Sequence, residues 1–228
     1  RNTALRGLIR WQIAPSAQLT VNGFHLAGRS QYDGFDPFTF LRADTLDETR
    51  NRLSAGRAAL ELGTAASDWS GHVSASLLRS KNDNELDDEP LNWTRGSRFS
   101  LEAQVNRRLA TGRIDHRVAL AASIERETFE ADDASFGGLT RQHRSRNHRA
   151  LTAEWRATLA HVVSADVAVR HDAFNRFKDS TSLRASLAVR PLTPLTLAIA
   201  YAEGIAQPTF FDLYGFFPGS FVGNPDLK

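Results

Sequence analysis

In several stretches of this chain, apolar and polar residues alternate one for one over eight residues or more. Phe99, Leu101, Ala103 and Val105 alternate with Ser100, Glu102, Gln104 and Asn106. Leu151, Ala153, Trp155, Ala157 and Leu159 do the same, as do Leu183, Ala185, Leu187 and Val189, and then Leu195, Leu197, Ile199 and Tyr201. Successive side chains of a strand point to opposite faces, so each stretch is a strand with one apolar and one polar face. The pattern predicts about ten strands, near residues 4–14, 17–28, 52–63, 69–80, 96–109, 113–127, 147–160, 163–175, 181–190 and 195–203.

Length and connections narrow this all-β reading. Strands of ordinary globular domains centre on about five or six residues, whereas a tilted strand needs about 9–11 to cross a hydrocarbon layer. Short turns fall near Pro15-Ser16, Thr64–Asp68, Ala110–Gly112, His161-Val162 and Pro191–Pro194. Between them lie polar connections, expected as long loops at residues 29–51, 80–95 and 128–146, a shorter one at 175–180, and the closing stretch from Gly204. Alternating short and long connections are the layout of a membrane β-barrel. The expected fold is therefore an antiparallel up-and-down transmembrane β-barrel, with residues 1–228 as part of one barrel domain. The polar faces carry Glu102, Gln104, Asn106, Arg108, Glu154, Arg156, Asp166, Arg170, Arg184 and Arg190, which favours a wide, wet barrel over a narrow packed one. Trp11, Trp69 and Trp155 sit near strand ends beside the short turns, where an aromatic girdle lies. Two details break phase: Phe24 and Leu26 against Leu19 and Val21, and Leu8 on the polar face of the first strand. A bulge or misplaced boundaries would account for both.

Composition agrees without deciding. Charged residues make up 24% and mean hydropathy is −0.36, averages that alternating strands and soluble domains share. The net charge of +2 gives no indication of nucleic-acid binding. The absence of cysteine excludes disulfides and thiolate metal sites. With no methionine and no signal peptide, the chain is expected to be a segment of a longer one.

No catalytic constellation occurs: there is no GxSxG, HExxH or P-loop, and the seven histidines show no ligand spacing, so no enzyme activity is expected. Binding candidates lie in the loops. Tyr32 and Phe35, with Phe210, Phe211, Tyr214, Phe216 and Phe217, form aromatic groups suited first to packing the loops and second to stacking on a flat ligand. Asp83, Asp87, Asp88 and Glu89 supply hard oxygens for Ca²⁺, but without the spacing and glycine of an EF-hand, and a solvated acidic loop is the simpler reading. Arg141, Arg144, Arg146 and Arg149, in "RQHRSRNHR", offer contact to lipopolysaccharide phosphates or to an anionic ligand, or serve only as a soluble loop.

Three stretches carry a resemblance. "AYAEGIAQPTFFDLYGFFPGSFVGNPDLK", with Leu213-Tyr214-Gly215 and the GNPDLK of residues 223–228, "QYDGFDPFTFLRADTLDETRNR" of residues 31–52, and "SASLLRSKNDNELDDEPLN" of residues 74–92 together resemble TonB-dependent outer-membrane receptors, the last two the vitamin-B12-receptor-like branch. The resemblance implies a bacterial outer-membrane barrel of about 22 strands with a plugged lumen, of which this chain supplies the middle. It implies active import of a bulky scarce nutrient, a cobalamin or a metal–siderophore complex, powered by the TonB complex through a plug outside this sequence, with the loop aspartates as Ca²⁺ ligands. A passive porin-like channel or an extracellular β-rich adhesin remain the alternatives. The closing stretch is then an outer loop cut at Lys228 before its return strand.

Overall fold

Ten strands run in sequence order: β1 (Asn2–Ala14), β2 (Ala17–Phe35), β3 (Arg42–Leu62), β4 (Trp69–Leu86), β5 (Glu89–Thr111), β6 (Ile114–Asp133), β7 (Gln142–Leu159), β8 (Val163–Phe174), β9 (Ser180–Leu192) and β10 (Leu195–Ala202). They form one sheet in which every strand pairs antiparallel with the next. A short helix, α1 (Phe210–Tyr214), and a two-strand ribbon, β11 (Phe216–Phe217) with β12 (Phe221–Val222), follow. The computed structural model describes all residues except Pro37, Ala65, Ser135, Phe136, Gly138, Leu139, His161, residues 218–220 and Lys228, together with the side chains of Phe216, Phe217, Phe221 and Val222. The expected all-β, up-and-down architecture is the one observed.

The register sorts side chains into two continuous faces. Leu60, Val73 and Ala103 are linked partner to partner across β3–β5, Val105, Leu120 and Ala153 across β5–β7, and Trp155, Val167 and Ala185 across β7–β9. These residues form an apolar outer belt, on which Leu120 is 52% exposed and Ile199 71%. Apolar side chains this open require a non-aqueous solvent, which is what a hydrocarbon layer around a barrel supplies. Trp11, Trp69 and Trp155 lie on this face toward the short turns, each more than 40% exposed.

The three connections expected as long loops are instead mostly strand. β5 runs for 23 residues and β3 for 21. The β4–β5 connection is a two-residue turn, Asp87-Asp88, with φ of 51° and 63° between the paired residues Leu86 and Glu89. Positive φ at both central positions is the type I′ geometry that matches strand twist, and aspartate is one of the residues that tolerates it. Alternation disappears above the belt because both faces there are wet, so the hydrophobic period carries no signal while the backbone ladder continues. Side-chain ladders replace it. Asn51, Asn82, Asn84 and Asn92 are linked across β3–β5 by amide hydrogen bonds of 2.7–2.8 Å. Glu48, 2% exposed, is clamped by Arg29 and Arg50, and Arg50 also reaches Glu85 at 2.7 Å.

The out-of-phase residues need neither a bulge nor new boundaries. The β1–β2 register is unbroken from Asn2 to Gln12. Leu8, Phe24 and Leu26 lie on the inner face, where Phe24 meets Ala55 and Leu26 meets Leu53, and Ala55 in turn meets Leu78. An apolar patch on a mostly polar inner wall produced the apparent phase error.

Candidate functional site

The inner face is a wall of paired charges. Beginning beside the short turns, Glu154 accepts from Arg156 at 3.2 Å and from Arg184 at 2.9 Å, and Asp166 lies 3.2 Å from Arg184. Higher up, Asp172 accepts from Arg170 at 3.0 Å and makes a 2.6 Å contact with His148, whose ring stacks on Phe174. Above that, Glu127 accepts from Nε of Arg98 at 2.7 Å and from Arg146 on the opposite side. Carboxylates set between arginines of the same and neighbouring strands offset much of the charge on this wall, while Arg108, Arg117 and Arg156 stand as direct partners across β5–β7.

At the outer end of this wall the closing stretch folds back. Arg146 donates from Nη1 to the Pro208 carbonyl at 2.7 Å, and its guanidinium covers the Phe210 ring at 4.7 Å. Phe210 stacks on Phe129 of β6, centroids 5.5 Å apart and planes within 12°. Arg144 covers Tyr214 at 4.6 Å, and Gln142 donates to the Tyr214 carbonyl at 3.1 Å. The segment can take this shape because α1 is capped locally. Asp212 N–H donates to Thr209 Oγ1 at 3.1 Å, while Thr209 N–H donates to Asp212 Oδ2 at 2.7 Å, a reciprocal capping box. The Thr209 backbone N–H, then the Thr209 hydroxyl, hold the Asp212 carboxyl below the ordinary carboxylate range.

Two glycines let the closing stretch double over itself. A Cβ on Gly215 would stand 2.5 Å from the Phe211 carbonyl oxygen, and one on Gly223 would stand 2.6 Å from the backbone of Leu213 and Tyr214. Gly223 N–H donates to the Gly215 carbonyl at 2.6 Å and Asn224 N–H to Asp212 at 2.9 Å, which buries Leu213 to 4% exposure. Gly223→Ala is expected to force this backbone pair apart at a cost of about 1–3 kcal/mol. Faster protease nicking between residues 205 and 227 of the full-length protein would show it; unchanged nicking would mean that the turn yields without cost.

The sequence candidates are thus distributed unevenly. Phe210 and Tyr214 are packing groups; Phe211 is 48% exposed; the side chains of Phe216 and Phe217 lie outside the described residues. Tyr32 and Phe35 are 48% and 62% exposed at the tip of the β2–β3 hairpin, beside Phe38 at 90% and Phe40 at 79%. That tip is shaped by Asp36, which accepts from Thr39 N–H at 2.7 Å and Phe38 N–H at 2.9 Å. The basic run divides by strand parity: Arg144 and Arg146 point inward and hold the closing stretch, Arg149 lies on the outer face opposite Ile124, and Arg141 is exposed ahead of β7. The acidic group separates too. Asp83 lies in β4, 2.8 Å from Lys81; Asp87 and Asp88 form the turn, with Asp87 N–H donating to Asp47 at 3.0 Å; Glu89 opens β5. Among the described residues no three His, Asp or Glu side chains converge on one point. Sequence reasoning missed Arg98, Glu127 and Phe129, which anchor the inward clasp. Continuing the alternation of β6 past residue 127 places Glu127 and Phe129 on the same face as Glu125.

Known structures share this architecture. The siderophore receptor PirA from Pseudomonas aeruginosa superposes with a TM-score of 0.76 at 16% identity, over 99% of this chain and 40% of that one. The ferric enterobactin receptor PfeA from Pseudomonas aeruginosa, in complex with enterobactin, gives 0.75 at 13% identity, over 93% and 34%. BauA, the ferric preacinetobactin receptor from Acinetobacter baumannii, gives 0.69 at 10%, over 89% and 39%. At such identities the likeness establishes the fold, and the chain spans about two-fifths or less of each receptor. No curated protein sequence matches. The family described as TonB dependent receptor-like, beta-barrel, matches residues 2–228, and with its belt, its charged inner wall and its clasped closing stretch the chain belongs to that family.

Proposed function

We propose that this chain forms part of the wall of a bacterial outer-membrane receptor that imports a bulky, scarce nutrient, a metal–siderophore complex, under power delivered by the TonB complex. The observation that carries this reading is the ion-paired inner wall, topped at the tip of the β2–β3 hairpin by exposed Tyr32, Phe35, Phe38 and Phe40, in a chain matched to this receptor family along nearly its whole length. Exposed rings at the rim can stack on the flat aromatic portions of a chelate, while the wall below tolerates a polar cargo. Siderophore receptors recur among the similar structures, which favours this cargo. Binding and gated release need no covalent step, in keeping with a chain that carries no catalytic constellation.

A cobalamin cargo is the second reading, supported by the likeness of residues 31–52 and 74–92 to the vitamin-B12-receptor-like branch. The test is uptake by cells that lack their own receptors and produce the full-length protein. Receptor-dependent accumulation of at least one ferric siderophore, abolished by loss of TonB, is the expected result. Uptake of cobalamin alone would replace the cargo with the second reading. Leakage of small solutes irrespective of TonB would replace active import with a passive channel.

A further inference from the structure

The groups on β7 that hold the closing stretch also suit a different guest. β8 ends its pairing at Phe174, the partner of His148, so Arg144 and Arg146 rise above it and are paired on one side only, with Phe129 and Glu127 of β6. Residues 208–215 lie over these side chains. Phe210 is held between the Phe129 ring and the Arg146 guanidinium. Pro208 and Tyr214 present backbone carbonyls to Arg146 and Gln142, at 2.7 and 3.1 Å. Arg144 covers the Tyr214 ring, is exposed, and makes no ion pair among the described residues.

An aromatic anion would make these same contacts more strongly. A ring stacks between Phe129 and Arg146 whether it belongs to Phe210 or to a guest. A neutral carbonyl oxygen accepts an ordinary hydrogen bond, whereas a carboxylate or phenolate oxygen accepts a charge-assisted one of roughly twice the strength. The charges also divide the roles. Glu127 already offsets Arg146, which leaves that guanidinium to cover the ring. Arg144, two residues along the same strand face and about 7 Å away, is left to pair the anion.

The closing stretch can leave this place without unfolding. Thr209 and Asp212 cap α1 from within the segment, Gly215 N–H donates to the Phe211 carbonyl at 2.7 Å, and Leu213 is buried by the fold-back at Gly223. Residues 203–209, which join it to β10, carry neither helix nor strand.

We propose that Phe210 and Tyr214 are internal stand-ins for an aromatic carboxylate or phenolate, which displaces residues 208–215 from Phe129, Gln142, Arg144 and Arg146 and binds in their place. The inference rests on the receptor reading given above and names the chemical class of the part of the cargo that this side of the wall takes. Of the basic run at residues 141–149, it assigns the anion contact to Arg144.

The test uses the purified full-length receptor, with salicylate as the probe and salicylamide as its uncharged counterpart. Phe210→Ala/Tyr214→Ala removes the internal occupant, and adding Arg144→Gln removes the anion's partner. Heat-modifiable gel mobility verifies that the variants fold, and siderophore uptake, followed separately, reports on the receptor reading. A site open about one-tenth of the time binds its ligand tenfold more weakly than one always open. Salicylate affinity is therefore expected to rise about tenfold in the double variant and to lose that gain when Arg144→Gln is added. In the unaltered receptor, saturating salicylate should speed hydrogen exchange at residues 209–215. No rise in the double variant, or unchanged exchange at residues 209–215, would overturn the displacement. A rise that survives Arg144→Gln, or salicylamide binding as tightly as salicylate, would overturn the assignment to an aromatic anion.

Discussion

Glu127→Ala is expected to release the closing stretch from the barrel wall and to cost about 3 kcal/mol, the lower end for breaking a buried ion pair. Glu127 is 7% exposed and joins two arginines from opposite sides, Arg98 on β5 and Arg146 on β7. Removing it leaves Arg146 without a counter-charge at a position where its side chain is only 14% exposed. Arg146 is also the group that holds Pro208 and covers Phe210. Stability and clasp are therefore expected to fail together. Hydrogen exchange on the full-length receptor would register this as faster exchange at residues 209–215. Glu127→Gln, which keeps the shape and two acceptor sites on one oxygen, should lose less. If the alanine variant exchanges at the native rate, the clasp is held by the Phe129–Phe210 stack instead.

Leu120→Arg and Ala121→Arg form a sharper contrast, since adjacent residues face opposite solvents. Leu120 stands in the belt between Val105 and Ala153, while Ala121 is the inward partner of Gln104 and Thr152. A cation at the middle of the lipid face costs about 2–4 kcal/mol, whereas a lumen-facing substitution is tolerated. Refolding into lipid vesicles with denaturant titration should show a large loss for the first variant and little for the second. Equal losses would mean that the two faces have been assigned wrongly.

These contrasts also explain what could be read from the sequence. Within the belt every strand was legible, because hydrophobic alternation reports a difference between the two faces, and lipid against lumen is a large difference. Beyond the belt the difference vanishes, and residues such as Asn82, Asp83 and Asn84 read as loop although they are paired with β3 on one side and β5 on the other. Phe24 and Leu26 misled in the opposite direction, since an apolar inner patch mimics a slipped register. For the site, residue identity was visible but direction was not. Arg144, Arg146 and Arg149 looked like one basic cluster until strand parity sent two inward and one outward. Of the anchors of the clasp, Phe129 falls within the expected loop of residues 128–146, whereas Glu127 is the last residue of the expected strand 113–127.

The height of β5 has an electrostatic consequence. Ten residues separate its turn-proximal end, Glu89, from Phe99 at the upper border of the belt. At about 3.3 Å per residue and a tilt near 40°, that raises the rim roughly 25 Å above the hydrocarbon. Ionic screening at physiological salt decays over about 8 Å. A charged solute arriving at the rim therefore meets the protein about three screening lengths from the border of the apolar belt, where charge held at that border is largely screened.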